Sequence, residues 1–368
     1  MSRDTINNIA LPIGAIAAAL GVFGVFVSFA GVNPVDVWLL LFKGAFGDWF
    51  SWQNTLQRAA PLMLTALCVA VPARAGLVVI GGEGALVLGG LACAAVAHNL
   101  PLPTGMLGSA VVCAAGALMG ALWVGLAGWL RQYRGINETI SSLLLAYIAL
   151  GVFKHLVEGP LRDPASLNKP STHSLPPDLA IGGIAGSDVH WGLVLGLVAC
   201  LGLAIWMRWT ASGFSVRVVG GNPRAAQLVG LPASRLILTA CALGGACAGL
   251  AGAVEVAAVH TNANVSLIAF YGYTGILVSF IARHHPLAII PVAILFGGFG
   301  AAGSMLQRRL GLPDASVLVL QGIAFVMILA SEALRDMDWK TWLRLPQRPP
   351  DTGPTGVVLH SNTGGTAP

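Results

Sequence analysis

Residues 84–130 read GALVLGGLACAAVAHNLPLPTGMLGSAVVCAAGALMGALWVGLAGWL, and no side chain in this run is charged. A membrane-spanning helix needs about 20 mostly apolar residues, so the run is long enough for two passes. The break between them falls at residues 98–105, because HNLPLPTG has the composition of a turn. The run therefore predicts a pair of membrane helices with a short connection.

The remainder of the chain has the same character. Of its 368 residues, 56% are apolar, 10% are charged and 47 are glycine, and the mean hydropathy is +0.78. An average soluble domain is about 25% charged. Because so small a charged shell cannot cover so much apolar surface, the composition excludes a cytosolic enzyme, a disordered chain and a nucleic-acid binder.

Other stretches without charged residues extend the prediction of membrane helices along the chain. They favour an all-α polytopic membrane protein of about ten (8–10) transmembrane helices, arranged as one domain over residues 1–345 with a disordered cytoplasmic tail at 346–368. The first of these stretches has an alternative interpretation as a signal peptide. However, it is longer than a typical signal h-region, and the charged residues before it are only Arg3 and Asp4. The predicted spans are 9–30, 59–73, 77–97, 106–130, 138–156, 190–208, 236–259, 267–282, 286–305 and 315–333.

The distribution of basic residues predicts the orientation. With ten passes and the N-terminus inside, 13 of the 20 Lys and Arg residues fall in inside segments and 7 in outside segments. Basic residues concentrate on the cytoplasmic side of membrane proteins. Both termini are therefore expected in the cytoplasm of a bacterium, with the chain crossing the plasma (inner) membrane several times. Arg308 and Arg309 oppose this locally, so the last hairpin is the least certain part of the topology.

Small residues mark expected close contacts between helices. The pairs Gly116/Gly120 and Gly245/Gly249 have the four-residue spacing that lets helix backbones approach closely. All six cysteines fall inside predicted spans and form no C-x-x-C pair, so they are interpreted as small apolar packing residues, with no metal site.

Two glycine-rich segments are similar to each other. VVIGGEGALVLGG at 78–90 and FYGYTGILVS at 270–279 align when Gly84 is placed on Gly275, and each falls third in a set of five predicted spans. The two run in opposite directions through the membrane, as an inverted internal repeat with broken helices does, and such a pair points to a transport path at the repeat interface. The predicted path residues are Gly81, Gly82, Glu83, Gly84, Tyr273, Thr274, Gly275 and Glu255.

Glu83 and Glu255 are the acidic residues set most clearly in apolar surroundings. An ionisable group within a span is costly unless it is paired or faces water, so a function is suspected by default. A structural role is equally open for each: Glu83 accepting amide hydrogen bonds at a broken helix, and Glu255 bridging two spans.

Two long loops differ in composition. Residues 157–189 contain five prolines and many small polar residues, which is typical of irregular chain, either a spacer or a receptor-docking surface. In the inside loop at 209–235, Asn222 is a good N-cap, Pro223 suits the first helical position and Gly230 can end the helix. A short helix of about two turns is predicted there, either for contact with a partner or as a cover for the bundle end.

Enzyme chemistry is not indicated. The sequence contains no G-x-x-x-x-G-K-[ST], H-E-x-x-H or G-x-S-x-G motif, and no cofactor is expected. Any work driven by ATP therefore requires another subunit.

Several stretches taken together resemble the permeases of bacterial ABC importers in the branched-chain amino-acid/ribose permease superfamily, most closely the nucleoside (simple-sugar) uptake branch. They cover roughly residues 55–333, and their order and spacing are more specific than any one of them. They are IGGEG at 80–84, INETISSLLLAYIA at 136–149, VGGNPRAA at 219–226 with Gly230, AGLAGAVEV at 248–256, and YTGI at 273–276 through HPL at 285–287.

The resemblance implies that residues 217–231 form the helix that couples the permease to an ATPase. It also implies a second permease subunit, as a homodimer or heterodimer, and an extracytoplasmic substrate-binding protein, with a nucleoside or simple sugar as solute. The branch usually has Asn at the positions of Val79 and Ala146, which leaves other small polar solutes open. The coupling residues implied are Arg217, Gly221, Asn222, Pro223, Arg224, Ala225, Ala226 and Gly230.

Two other function classes are weighed against this one. An ion-coupled secondary transporter would use Glu83 and Glu255 as proton sites. An intramembrane enzyme would need a paired nucleophile and base, which the sequence does not offer.

Overall fold

The structure, a computed structural model, describes residues 3–166, 168–184, 186–313 and 315–336. Its regular secondary structure in these ranges is helical, with only isolated bridges at Ser171–Asn264 and Gly183–His190, which confirms the all-α prediction. The predicted tail at 346–368 lies outside the described residues. The helices are α1 (Arg3–Phe29), α2 (Pro34–Phe42), α3 (Trp49–Arg74), α4 (Gly82–Asn99), α5 (Met106–Arg134), α6 (Glu138–Glu158), α7 (Gly192–Trp209), α8 (Ala211–Gly221), α9 (Pro223–Leu228), α10 (Ala233–Val254), α11 (Tyr271–Ile281), α12 (Pro286–Leu310) and α13 (Ala315–Asp336).

Six helical segments in the described part of the chain are long and apolar enough to cross a membrane: α3, α5, α6, α7, α12, and α10 with its π-helical continuation to His260. Shorter apolar helices lie at Gly14–Phe29, Val265–Ile281 and Ala315–Ser331. The chain is therefore a multi-helix membrane protein, while the count of ten spans and the inverted repeat stay predictions.

Two helix boundaries differ from the expected ones. α3 begins at Trp49, well before residue 59, because Arg58 has an exposed side chain and does not end the helix. α4 begins at Gly82, after non-helical backbone at 77–81. Ser142 and Thr139 of α6 bind that backbone, with Ile80 N donating to Ser142 Oγ at 3.0 Å and Thr139 Oγ1 donating to Val78 O at 3.0 Å.

The core is built around α10, which packs against α5, α4 and α3. Along α5 and α10 the backbones touch at the glycines that the sequence singled out. A Cβ at Gly120 would overlap the Gly245 carbonyl oxygen and lie 2.6 Å from Gly249 N, and a Cβ at Gly249 would overlap the Gly116 carbonyl oxygen. We call Gly116, Gly120, Gly245 and Gly249 the glycine seam. The predicted close approach is confirmed, and all six cysteines are buried and unpaired.

The proline-rich loop at 157–189 is largely irregular over its described residues beyond α6, as its composition predicts, but it is packed onto the protein and is not a solvated spacer. Thr172 N donates to Ala263 O at 3.0 Å, Leu175 N to Thr261 O at 2.7 Å and Ile181 N to Ala257 O at 2.9 Å. Two of the acceptors, Ala257 O and Thr261 O, lie at the end of the α10 segment, where the last carbonyls of a helix have no intrahelical partners. The loop thus covers the end of α10.

The second long loop, at 209–235, contains two helices where the sequence predicted one. α8 is capped by Thr210, whose Oγ1 accepts from Gly213 N at 3.1 Å, and it folds back against the end of α7. α9 follows after a break at Asn222, whose side chain accepts from Ala225 N at 3.0 Å. Arg217 and Gly221 therefore lie on α8, and the implied single helix over 217–231 is wrong in this respect.

Candidate functional site

The two glycine-rich segments meet at Glu83. Its Oε1 accepts from Phe270 N at 2.9 Å and its Oε2 from Gly272 N at 2.6 Å, and the side chain is completely buried. Since Tyr271 is the first residue of α11, the carboxylate satisfies amides at the start of that helix, where negative charge is stabilising. Glu83 therefore joins α4 to α11.

The glycines of both segments serve this close packing. A Cβ at Gly272 would overlap Glu83 N, and one at Gly275 would lie 2.5 Å from Thr65 Oγ1. Gly81 and Gly84 instead pack on α6, where a Cβ would come within 2.8 Å of Ser142 O and 2.7 Å of Ala146 Cα. The predicted path glycines are thus contact residues between helices.

A cavity of about 260 Å³ lies between α3, α11, α12 and α13. Among its lining residues, Thr274 Oγ1 donates to Gln321 Oε1 at 3.0 Å. A cavity with apolar walls and a few polar groups is typical of a small-molecule site. We call it the polar cavity; its polar lining residues are Arg58, Tyr271, Thr274 and Gln321, and its apolar lining includes Leu62, Phe296, Gly297, Gly300, Gly303 and Val317.

Charged groups lie at one wall of the polar cavity, with Arg58 lining it and Glu255 behind it. The Arg58 guanidinium interacts electrostatically with the Tyr271 side chain and with Glu255. Glu255 is 4% exposed, and its Oε2 lies 3.6 Å from His260 Nε2. The buried carboxylate therefore has basic side chains near it, the arrangement that a charge inside a membrane protein requires.

Of the predicted path residues, only Thr274 lines the polar cavity. Glu83 is connected to it through the start of α11 and Glu255 through Arg58, whereas Tyr273 packs on Phe270 with 6.1 Å between ring centroids. The sequence analysis missed Arg58, Tyr271 and Gln321. In the sequence, Arg58 marks only the end of a charge-free window, and Gln321 is a single uncharged polar residue within an apolar segment, which is a weak local signal.

The second candidate surface is α9. Ala226 is buried, whereas Leu228 is 89% and Val229 73% exposed. Gly230 ends the segment at φ +81°, a left-handed conformation that glycine adopts without strain. The helix therefore presents apolar side chains outward beside the exposed Arg224 and Ala225.

Comparison with known proteins assigns the family. The sequence profile of the family described as "Branched-chain amino acid transport system / permease component" matches residues 51–329. The chain belongs to this family. The match includes α4, α9 and α11 and all four polar residues of the cavity, which confirms the resemblance drawn from the sequence.

Individual relatives agree with this family. The chain is 33% identical over 87% of its length, and 87% of the relative, to the glucose ABC transporter permease protein TsgB13 of Haloferax volcanii. It is 26% identical to the guanosine ABC transporter permease protein NupP of Bacillus subtilis, over 90% of this chain and 95% of the relative. The nucleoside ABC transporter permease protein NupB of Lactococcus lactis is 28% identical over 72% of this chain and 76% of its own. The chain is thus an ABC transporter permease subunit.

Proposed function

We propose that this permease imports a small, uncharged, hydroxyl-rich solute, a nucleoside or a simple sugar, through the polar cavity. The observation that carries the proposal is that Tyr271 and Thr274 of α11 and Gln321 of α13 line one cavity. Hydroxyl and amide groups both donate and accept hydrogen bonds, so they suit a solute with many hydroxyls. The charge of Arg58 interacts with Glu255 and Tyr271, so the uncharged polar groups of the cavity are the ones assigned to the solute.

The names of relatives support this solute class, since they specify glucose, guanosine and nucleosides. The departures from the nucleoside branch do not oppose it. Val79 and Ala146 are both fully buried, and neither lines the polar cavity. Ala146 packs against Gly84 instead, so an asparagine there would contact neighbouring helices.

The assembly follows from the same proposal. α9 docks on the ATPase through its exposed Leu228 and Val229, flanked by Arg224 and Ala225, and Asn222, Pro223 and Gly230 give the helix its ends. A second permease subunit and an extracytoplasmic substrate-binding protein complete the importer. The chain crosses the bacterial inner membrane about ten times with both termini in the cytoplasm, and the two glycine-rich segments are the third spans of an inverted repeat.

The buried carboxylates favour this function over ion-coupled transport. Both oxygens of Glu83 are occupied by backbone amides, and Glu255 is neighboured by Arg58 and His260. Each therefore has a structural role. We assign Glu83 to positioning α11 and Glu255 to balancing basic groups behind the cavity wall.

Uptake into vesicles containing the assembled transporter tests the energy source and the path together. Labelled guanosine and labelled glucose should be taken up only with ATP, and a protonophore should have no effect. Gly300→Leu should lower uptake about tenfold or more, because the added side chain enters the polar cavity next to the flexible Arg58, whereas Gly322→Leu on α13 meets open space and should transport normally. Uptake that ignores ATP and collapses with the protonophore would disprove the importer, and normal uptake by Gly300→Leu would disprove the path.

A charge change on α9 tests the coupling surface. Arg224→Glu with Ala225→Glu should abolish ATP-driven uptake while leaving membrane insertion intact, because the surface would then repel acidic groups that Arg224 now attracts. The control is Arg134→Glu with Ile136→Glu, which places the same charges on other exposed residues. Wild-type uptake by the α9 variant, or equal loss in the control, would count against the coupling role.

A further inference from the structure

A second pocket, of about 250 Å³, lies at the other end of α3 from Arg58. It is formed where the end of α3, the junction of α7 with α8, and the start of α12 come together. Four basic side chains and an apolar wall line it. The basic residues are Arg74, Arg208, Arg217 and His285, and the apolar ones are Ala204, Met207, Pro286 and Leu287. We call it the basic pocket.

Two close backbone contacts bring the three arginines of the basic pocket together. α8 folds back on α7 so tightly that a Cβ at Gly213 would overlap the Trp206 carbonyl oxygen, which places Arg208 and Arg217 on the two arms of a helical hairpin. At the end of α8, a Cβ at Gly220 would overlap the Arg74 carbonyl oxygen. Since Arg217 lies one turn before Gly220, it faces the end of α3.

Arg74 connects this hairpin to the turn before α12. Its Nε donates to His284 O at 3.0 Å and its Nη2 to Arg283 O at 3.3 Å. Both acceptors are backbone carbonyls, so the Arg74 charge is not neutralised by them. His285 follows directly and completes the basic pocket.

Within the described ranges, no acidic side chain lines the pocket. Among the described residues, the ion pairs within 4 Å join Arg131 to Glu138, Asp163 to His173 and Glu255 to His260, and none of these residues lines the pocket. Burial lowers the pKa of His285, and repulsion by Arg74 and Arg208 lowers it further. The pocket therefore suits an anion.

Its position identifies the kind of anion. Next to Arg208, α7 exposes the apolar side chains of Ile205 and Trp209, and Leu287 at the pocket edge is 43% exposed. Tryptophan beside arginine at the end of an apolar helix is typical of the level of the lipid headgroups. A ligand here meets cations on one side and acyl chains on the other.

We propose that the basic pocket binds the phosphate headgroup of an anionic phospholipid. The arginines contact the phosphate oxygens, Arg208 and Arg217 as charge-assisted donors, while Ala204, Met207 and Leu287 border the first acyl carbons. The lipid thereby holds together α3, α8 and the start of α12 without a protein carboxylate.

The full-length protein in detergent, titrated with lipid and followed by native mass spectrometry, tests the site. The probes are phosphatidylglycerol and phosphatidylethanolamine with identical acyl chains. The wild type should retain phosphatidylglycerol preferentially, and Arg208→Gln with Arg217→Gln should weaken its retention about tenfold or more. Arg134→Gln with Arg235→Gln removes two exposed charges outside the pocket and should retain the lipid as the wild type does. Arg208→Lys with Arg217→Lys keeps the charge and should retain most of the binding.

Four results would overturn the proposal. One is equal retention of the two lipids by the wild type, and another is equal loss in the pocket variant and the matched control. Displacement of phosphatidylglycerol by inorganic phosphate or glycerol 3-phosphate at millimolar concentration would identify a soluble phosphate as the ligand. Loss of ATPase association in the pocket variant with unchanged lipid retention would assign the pocket to an acidic partner protein. None of these measurements depends on solute uptake, so they stand apart from the proposed import function.

Discussion

The glycine seam and the polar cavity both contain glycines, but glycine has opposite effects in the two regions. In the seam, Gly120 and Gly249 bring α5 and α10 into backbone contact and leave no space. At the polar cavity, Gly300 of α12 faces the side chain of Arg58, and the space that a larger side chain at position 300 would fill stays open. The difference lies in the partner: glycine opposite glycine closes a gap, whereas glycine opposite a long polar side chain preserves one.

α4 connects the two regions. Gly89 and Gly90 pack against Gly249 and Gly252 of α10, and Glu83 at the other end of α4 holds the start of α11. The tightly packed half thereby fixes one wall of the polar cavity. Three substitutions test whether the two regions differ as described.

The largest effect on stability is expected in the glycine seam. Gly120→Ala should destabilise the protein by about 3 kcal/mol, at the upper end for overpacking, because its Cβ would overlap backbone atoms that cannot rotate away. Gly125→Ala on the same helix has nothing within 4 Å of the new Cβ and is the matched control. Thermal unfolding in detergent measures both. Equal stability of the two variants would show that the seam is not in backbone contact.

A smaller loss of stability is expected where Glu83 of α4 holds the start of α11. Glu83→Gln leaves one of the amides of Phe270 and Gly272 without an acceptor, since the amide nitrogen of glutamine cannot accept a hydrogen bond. The expected cost is about 1–3 kcal/mol. Glu158→Gln, at an exposed position at the end of α6, should have no effect.

The same variant separates a positioning residue from a proton carrier. For a positioning residue, the melting temperature falls and the pH dependence of uptake is unchanged. Normal stability combined with an altered pH profile would contradict the structural role assigned to Glu83.

The smallest effect is expected at the polar cavity, and its sign is reversed. Gly300→Ala places a Cβ 3.4 Å from Arg58 Cδ, an ordinary contact with a flexible side chain. Because alanine is favoured over glycine within a helix, the variant should be about 0.5 kcal/mol more stable. A destabilisation as large as that of Gly120→Ala would remove the distinction between the two regions.

Much of the fold was predictable because apolar segments and caps are local signals. The N-cap at Asn222, the close approach at Gly116, Gly120, Gly245 and Gly249, and the all-helical class each depend on residues close in sequence. The start of α3 was missed because counting charges treats every arginine as a boundary. Arg58 instead continues the helix with its side chain at an exposed position.

The candidate site was harder to predict because it depends on contacts between distant segments. Glu83 and Thr274 stood out, yet the acceptors and donors around them come from α11 and α13, and no local pattern reveals that Gln321 faces Thr274. The additional helix of the loop at 209–235, α8, was missed since its glycines at 213, 220 and 221 look like a breaker sequence. Gly213 and Gly220 are required by contact with α7 and with the end of α3, whereas a Cβ at Gly221 would meet open space.

The hydrogen bonds of Arg74 have a mechanical consequence. They tie the end of α3 to the turn between α11 and α12, directly beside Gly220 of α8, so a displacement of α8 reaches three helices that border the polar cavity. α3 would carry it over the 16 residues from Arg74 to Arg58, about 24 Å at the rise of an α-helix. Besides Pro72 near the end of α3, Pro61 interrupts the hydrogen bonding of this helix one turn C-terminal to Arg58. A push along α3 would therefore become a bend there, moving Arg58 sideways against Tyr271 and changing the width of the cavity.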